Sequence, residues 1–447
     1  MPTTPHTKEN EILPDQPLPH SKDRPLRILI AADTFPPNVN GAAKFTVNLA
    51  SEMAGRGHDV HVVVPAASRR HGTWREEYEG QSITVHRLPS DRWWPHDWLR
   101  YVKPWRARPH MRRVLDEVKP DVIHYQSAVV LGRAAVREGA PRGIRIIGTN
   151  HLMLENILEH TMLPKPLQAV GSKIWWRDAH KTFDATASLT TPTRRAADFL
   201  ERNGNLERVL AISCGIRASD YTPKFGAKKP PRILFVGRVT GEKQIDVLLR
   251  AFANLPESLG AELEIVGGGD QKPALEKLSR ELGVDSRTTF HGYVTDEELR
   301  NLYSNATVFA IASIAELQSI ATMEAMASGL PVVAANAMAL PHLVHHGENG
   351  YLFQPGDVQD ARKQLERVLE MTTEERDELG RTGLQMVQAH DIDTTMDLFE
   401  RLYYGESTEE VARDSWNEQD NSLDDVVEAV TGSIPTVHRE RKGFGHR

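Results

Sequence analysis

The sequence predicts an α/β chain built from two doubly wound halves. Three observations carry that prediction. An apolar run at residues 26–32 (Leu-Arg-Ile-Leu-Ile-Ala-Ala) leads through a loop and a helix to a second apolar run at 60–65, the opening unit of a parallel sheet. The same kind of opening recurs at Arg232–Val236. Between the two, residues 217–231 carry Pro223, Gly226, Lys228, Lys229 and two further prolines, the composition of a linker.

In the first half, residues 33–41 form a loop containing Pro, Asn and Gly. Residues 42–56 have helical periodicity through Phe45, Leu49 and Met53, and Gly57 stops the helix. Val122–Tyr125, residues 144–148 and Ser188–Thr191 read as further strands of that half. In the second half a helix is expected over 245–254, then a strand at 263–266 that runs into Gly267, Gly268 and Gly269. Two Rossmann-like halves joined by a hinge place a ligand in the cleft between them, at the carboxyl ends of the strands. The expected boundaries are a disordered leader at 1–24, a first domain at 25–218, a second at 228–387, and a largely disordered tail at 405–447.

A length of 447 residues suits two or three domains, and 40% hydrophobic with 26% charged residues is ordinary for a soluble enzyme. A net charge of -7 gives no global case for nucleic-acid binding. The single cysteine, Cys214, cannot form an internal disulfide, which fits a reducing cytoplasm. No run of about eighteen apolar residues is present, so no membrane-spanning helix is expected. The first two dozen residues lack the apolar centre of a signal peptide.

Residues 316–329 are the most informative stretch. Glu316 falls in a loop of small residues, and Glu324 stands eight positions on, inside a short helix with Ile320, Met323 and Met326 at near-helical spacing. Gly329 ends the helix and Pro331 opens a buried strand. The helix start between the two acids offers free backbone N–H groups, an anion site. Two glutamates at this spacing also arise by chance, and an acid near a helix start is favoured by the dipole alone.

This stretch resembles the E-x7-E signature of the retaining glycosyltransferases of family 4, which have the GT-B fold. Residues 26–65, 232–251, 263–269 and 289–355 resemble the family's blocks in the expected order, so the likeness spans about residues 25–404. It implies two Rossmann-like domains facing across a cleft, with a last helix, within 388–404, returning to the first domain. It implies that Gly237-Arg238 and Lys243 (Gly-Arg-x4-Lys) hold the leaving diphosphate. A planar guanidinium fork and a compact ammonium suit that charge; the plain alternative is two surface cations around a loop. Glu316 is implied to contact hydroxyls of the donor sugar and Glu324 the ribose hydroxyls, with Leu317, Gln318, Ser319 and Ile320 also on the donor. The family often has Gly where this chain has Ser319, and an aromatic where it has Gln318; Ser319 is expected to cap the helix with its hydroxyl. At Gly41-Ala42 the family usually carries paired glycines that approach a phosphate. Gly267 belongs to a turn near the nucleotide, and Val294 to a block whose backbone meets the base.

His151 follows a strand end after Gly148, Thr149 and Asn150. The resemblance places it in the sugar pocket, although a lone histidine is more often structural. His124 and Gln126 end another strand and stand as acceptor-side candidates. The acceptor side also includes residues 91–113, where Trp93, Trp94, Trp98 and Trp105 are interleaved with Arg106, Arg108, Arg112, Arg113 and other cations. Trp175, Trp176 and Arg177 form a second such patch. Interleaved Trp and Arg suit an anionic bilayer surface. They also suit base stacking, or core tryptophans beside a solvated basic helix.

The expected function is therefore transfer of a hexose from a nucleoside diphosphate sugar to a hydroxyl of a membrane lipid, with the α linkage kept. No metal ion or other cofactor is expected, no nucleic acid is expected as partner, and the place of action is the inner face of the cell membrane. Rival expectations are a soluble acceptor such as an inositol phosphate or sugar phosphate, a nucleotide-sugar epimerase, and a silent nucleotide-sugar-binding protein.

Overall fold

The computed structural model describes residues 24–38, 40–93, 96–152 and 165–415, with the backbone alone described at 96–99, 165–170 and 172. The expected leader up to residue 23, Trp94, and the tail from residue 416 lie outside the described residues. Tertiary contacts divide the chain into two units. The first takes in the chain up to Pro192, Ala196–Arg217 and His390–Ser415; the second takes in Thr193–Arg195 and Ala218–Ala389.

The first unit contains β1 (Arg27–Ala31), β2 (Asp59–Pro65), β3 (Gly72–Tyr78), β4 (Gln81–Leu88), β5 (Asp91–Trp93), β6 (His96–Tyr101), β7 (Val122–Tyr125), β8 (Arg145–Thr149), β9 (Ser188–Thr191) and β10 (Leu210–Ala211). Eight of them form one sheet in the order β10-β9-β8-β7-β1-β2-β4-β3, while β5 and β6 pair as a separate hairpin. All pairings in the large sheet are parallel except β3 with β4. Strands β1, β7 and β8 are covered on both faces, which is why their apolar residues run together rather than alternate with exposed polar ones. The outermost strand β3 is different: Gly-Thr-Trp-Arg-Glu-Glu-Tyr is charged and largely exposed, a protected edge.

Helix Gly41–Gly55 starts where the Asn40 side chain accepts the Ala43 N–H at 2.9 Å, and it buries Phe45, Leu49 and Met53. Helix Ile392–Tyr403 belongs to the same unit. Its Phe399 ring lies 5.6 Å from Phe45, and its Glu400 takes Arg56 at 2.8 Å and His58 at 2.9 Å. The expectation of disorder past residue 405 needs a correction. Thr408–Asp414 is a helix, with Ser407 and Glu410 in a capping box and Val411 fully buried, so its polar composition conceals a docked face.

The second unit contains β11 (Arg232–Val236), β12 (Glu262–Val266), β13 (Thr288–Gly292), β14 (Val308–Ile311), β15 (Val332–Ala335) and β16 (Gly350–Phe353). They form a wholly parallel sheet in the order β13-β12-β11-β14-β15-β16. In chain order this is 3-2-1-4-5-6, the Rossmann arrangement, and the winding reverses between β11 and β14. Such a reversal opens a crevice outside the carboxyl ends of those two strands. In the first unit the winding reverses between β1 and β7.

The linker reading of 217–231 also needs a correction, because from Tyr221 onward the segment is a strap fastened to the second unit. The Thr222 carbonyl accepts the Ser304 hydroxyl at 3.2 Å, Lys224 Nζ meets Asn305 Oδ1 at 2.9 Å, and Lys228 Nζ donates to the Ala306 carbonyl. These partners lie at the carboxyl end of helix Asp296–Asn305, where exposed carbonyls and the dipole favour cations.

Candidate functional site

The crevice at the β11/β14 reversal collects the acids and bases singled out in the sequence. Gly237 and Arg238 follow directly on β11, and Lys243 ends a short 3-10 turn, Gly241–Lys243. Glu316 lies in the loop between β14 and helix Ile320–Ala327. Lys243 Nζ and a Glu316 oxygen form an ion pair in which each side chain is only 12% exposed. Arg238 Nη2 meets Glu242 Oε1 at 2.9 Å, and the Thr240 hydroxyl donates to the same oxygen at 2.7 Å. Burial would raise the Glu242 pKa, but the Arg238 charge and the Thr240 hydroxyl outweigh it and hold that carboxyl below its usual range. Among the titratable groups of this loop, the two cations flagged by sequence thus each face a carboxylate.

Helix Ile320–Ala327 begins at Ser319, whose φ of 78° and ψ of 81° lie in the left-handed region. Glycine adopts that region without cost and other residues do not, which accounts for a family preference for Gly at this place. The expected hydroxyl cap is not made. Ser319 Oγ lies 2.8 Å from Thr322 Oγ1 instead, since the left-handed backbone carries the side chain away from the helix's first N–H groups. The helix is buried on nearly every side, with Thr322, Met323, Glu324, Ala325, Met326 and Ala327 all covered. Leu317 and Gln318 complete the loop, Gln318 being buried.

Glu324 is the buried acid of this helix, and the structure supplies partners that sequence reasoning missed. Tyr221 Oη donates to its Oε1 at 2.8 Å and Tyr303 Oη to its Oε2 at 2.9 Å. Burial first, and then the Glu324 charge, push both phenols far above their usual pKa. Glu242 was missed as well, although an acid four residues after Arg238 is the one signal that could have found it.

The triple glycine is explained by backbone proximity. A Cβ on Gly267 would lie 1.9 Å from the Gly237 carbonyl oxygen, and one on Gly269 would lie 2.1 Å from that of Val239. The Gly267 N–H donates to the Gly292 carbonyl at 2.8 Å, so it is committed within the fold. Val294 follows Tyr293, a ring that is 66% exposed beside this turn.

In the first unit, Gln126 and His151 stand at the carboxyl ends of β7 and β8, next to that sheet's own reversal. His151 Nε2 lies 2.9 Å from Gln126 Oε1, and its ring packs 4.7 Å from Phe45. The Gln126 Nε2 and Asn150 Oδ1 atoms are buried without a hydrogen-bond partner. Burial lowers the His151 pKa to about 3, so the ring is neutral. Gly41 opens helix Gly41–Gly55 and is exposed, with Asn40 capping beside it.

His124 does not fit its expected acceptor role. It is fully buried, with Nδ1 2.5 Å from the Tyr403 hydroxyl and Nε2 2.7 Å from Thr149 Oγ1, and burial brings its pKa to about 3. Nδ1 ties helix Ile392–Tyr403 to the sheet and Nε2 ties β7 to β8, so both ring nitrogens are committed within the fold.

The aromatic-basic stretch divides. Trp93 and Trp105 are exposed, at 37% and 72%, and Arg106 is exposed beside the latter. Arg108 and Arg112 instead grip Glu138 at 2.9 and 3.0 Å, and Arg113 pairs with Glu117 at 3.8 Å. The stretch is therefore less basic in space than in sequence. The Trp98 side chain and Trp94 fall outside the described residues. The second patch divides too: Trp175 and Trp176 are partly buried against an apolar cluster, with Arg133 over the Trp175 ring at 5.4 Å, while Arg177 is exposed. Among the described residues no helix is long and apolar enough to cross a membrane.

Two family models match the chain consecutively. "Glycosyltransferase Family 4" matches residues 39–220, and "Glycosyl transferases group 1" matches residues 220–386. The sulfoquinovosyl transferase SQD2 of Arabidopsis thaliana is 27% identical over 407 residues, covering 86% of this chain and 74% of that protein. The alpha-monoglucosyldiacylglycerol synthase of Acholeplasma laidlawii is 24% identical over 362 residues, covering 74% of this chain and 86% of that protein. Among solved structures, a sucrose-phosphate synthase from Thermosynechococcus elongatus superposes with a TM-score of 0.69 at 20% identity, over 84% of this chain and 98% of that one.

Proposed function

Because this chain belongs to the retaining glycosyltransferases of family 4 and has the GT-B fold, we propose that it moves a hexose from its nucleotide-sugar donor to a hydroxyl of a membrane lipid. The observation that carries the donor half of this reading is the gathering of Arg238, Lys243, Glu316 and the Ser319 helix start at the β11/β14 reversal.

Lys243 and Glu316 pair with each other. On donor binding, Lys243 and Arg238 turn to the diphosphate, with the helix start as a third source of positive potential. Glu316 turns to sugar hydroxyls and Glu324 to the ribose hydroxyls. As the bond between C1 and the phosphate oxygen breaks, its electron pair passes to that oxygen. The cations and N–H groups stabilise the growing charge, the preorganised electrostatic effect that dominates many active sites. The acceptor hydroxyl adds to C1 from the side the leaving group vacates, and its proton goes to the leaving phosphate oxygen. In the first unit, neutral His151 and the Gln126 amide are the polar groups offered to uncharged hydroxyls.

The glucosylated diacylglycerol in the name of the Acholeplasma relative and the exposed Trp93, Trp105 and Arg106 support a lipid acceptor met at the inner membrane surface. The test incubates the protein with UDP-glucose or GDP-mannose and vesicles of diacylglycerol or phosphatidylinositol, against inositol phosphate in solution. Sugar appearing in the lipid phase supports the proposal. Transfer to the soluble acceptor alone, or isomerised sugar nucleotide without any acceptor, overturns it.

A further inference from the structure

We infer that Tyr221 and Tyr303 are positioning residues for the nucleotide's ribose: their hydroxyls hold the Glu324 carboxylate in the plane where it receives a vicinal diol. This rests on the donor reading above.

One phenol binds each carboxylate oxygen, Tyr221 on Oε1 at 2.8 Å and Tyr303 on Oε2 at 2.9 Å, the Tyr303 proton being shared with the Ala321 carbonyl at 3.1 Å. Two donors on opposite oxygens stop the carboxylate from rotating about its last bond. An ionised carboxylate has about four acceptor positions, so two phenols fix its plane without exhausting its capacity. The phenols are themselves held from different sides. Tyr303 is fully buried, packs 6.1 Å from the Phe309 ring on β14, and meets Tyr221 edge-on at 6.0 Å and 81°. Tyr221 is tied by the strap, through Thr222 to Ser304 and Lys224 to Asn305.

Stability alone gives no reason for this arrangement. An acid with two phenols inside an apolar helix surface is at best as stable as hydrophobic packing of the same volume. The cost is repaid where a carboxylate of fixed orientation is needed. A vicinal diol demands that, because its two hydroxyls must reach two oxygens at once. The strap thereby becomes part of the donor site, although no strap residue need touch the nucleotide.

The experiment uses the full chain and titrates UDP, GDP and their 2′-deoxy forms into wild type, Tyr221→Phe and Tyr303→Phe by calorimetry. The diphosphate that wild type binds should bind about tenfold more weakly to Tyr221→Phe, while its 2′-deoxy form changes little. The preference for ribose over deoxyribose then collapses, and in turnover the donor KM rises while kcat holds within about twofold. Equal weakening of both forms would mean that Tyr221 only supports the fold, and it overturns the inference. So does a Tyr221→Phe variant that keeps the wild-type preference. If Tyr303→Phe does not fold, Tyr221→Phe on the partly exposed strap decides alone. Failure of wild type to bind either diphosphate overturns the donor reading itself, a result distinct from the other two.

Discussion

The two units place polar residues at the same point of a parallel sheet, beside the reversal of winding, yet they equip that point differently. In the second unit the crevice is charged and balanced, with Lys243 on Glu316 and Arg238 on Glu242. In the first, the corresponding edge is closer to neutral: His151 is uncharged, Gln126 and Asn150 are amides with two unpartnered atoms, and the Asp33 carboxyl past β1 accepts the Val130 and Leu131 N–H groups, its pKa pushed up to about 6 by burial. Fold alone therefore does not assign the chemistry. The charged edge suits a diphosphate, and the neutral edge suits sugar or acceptor hydroxyls.

The sharpest way to break this contrast is Lys243→Ala. It removes a cation from the charged edge and leaves Glu316 buried without that partner. Turnover should fall by about two to three orders of magnitude, and the melting temperature should fall as well. Turnover near wild type would mean that the charged edge does not handle the leaving group. Glu242→Gln is milder. It weakens the hold on Arg238 and should cut kcat/KM by about tenfold, with the loss recovered in part at low salt.

The neutral edge makes a prediction about pH. Burial lowers His124 and His151 from the ordinary 6.5 to about 3, so the unfolded chain binds protons that the native protein refuses. The stability the two histidines contribute should decline as pH falls below about 6.5 and go on declining toward 3, partly offset by Asp33, whose raised pKa of about 6 favours the native state as it protonates. Melting curves of wild type and His124→Asn across that window test this, and the variant should show the shallower slope. An equal slope would mean that His124 is not kept neutral by the fold. The smallest effect is expected from Ser319→Gly, which relieves a left-handed serine and should stabilise the protein by about 1 kcal/mol or less. A lower melting temperature would instead assign real value to the Ser319–Thr322 hydroxyl contact.

Much of this was legible in the sequence, for physical reasons. Strands β1 and β11 are buried on both faces, so apolar runs announce them. Arg238 and Lys243 follow a strand end that Gly237 marks, and Glu316 and Glu324 precede a helix end and strand start that Gly329 and Pro331 mark. What was not legible is pairing across distance. Nothing in residues 91–113 says that Glu138 neutralises Arg108 and Arg112, and nothing near Glu324 points to Tyr221 or Tyr303. The charged edge strand β3 was missed because an exposed edge need not be apolar. Helix Thr408–Asp414 was missed because Val411 and Ala412 are too short a stripe to stand out of an acidic tail.

The balance of Lys243 against Glu316 and of Arg238 against Glu242 has a kinetic consequence. A mouth with little net charge casts a weak field into the solvent, so an approaching dianion is not drawn in from afar. Donor capture should then proceed by ordinary diffusion, with an association rate nearly indifferent to ionic strength, and the attraction is switched on only after the phosphates have arrived and parted each couple.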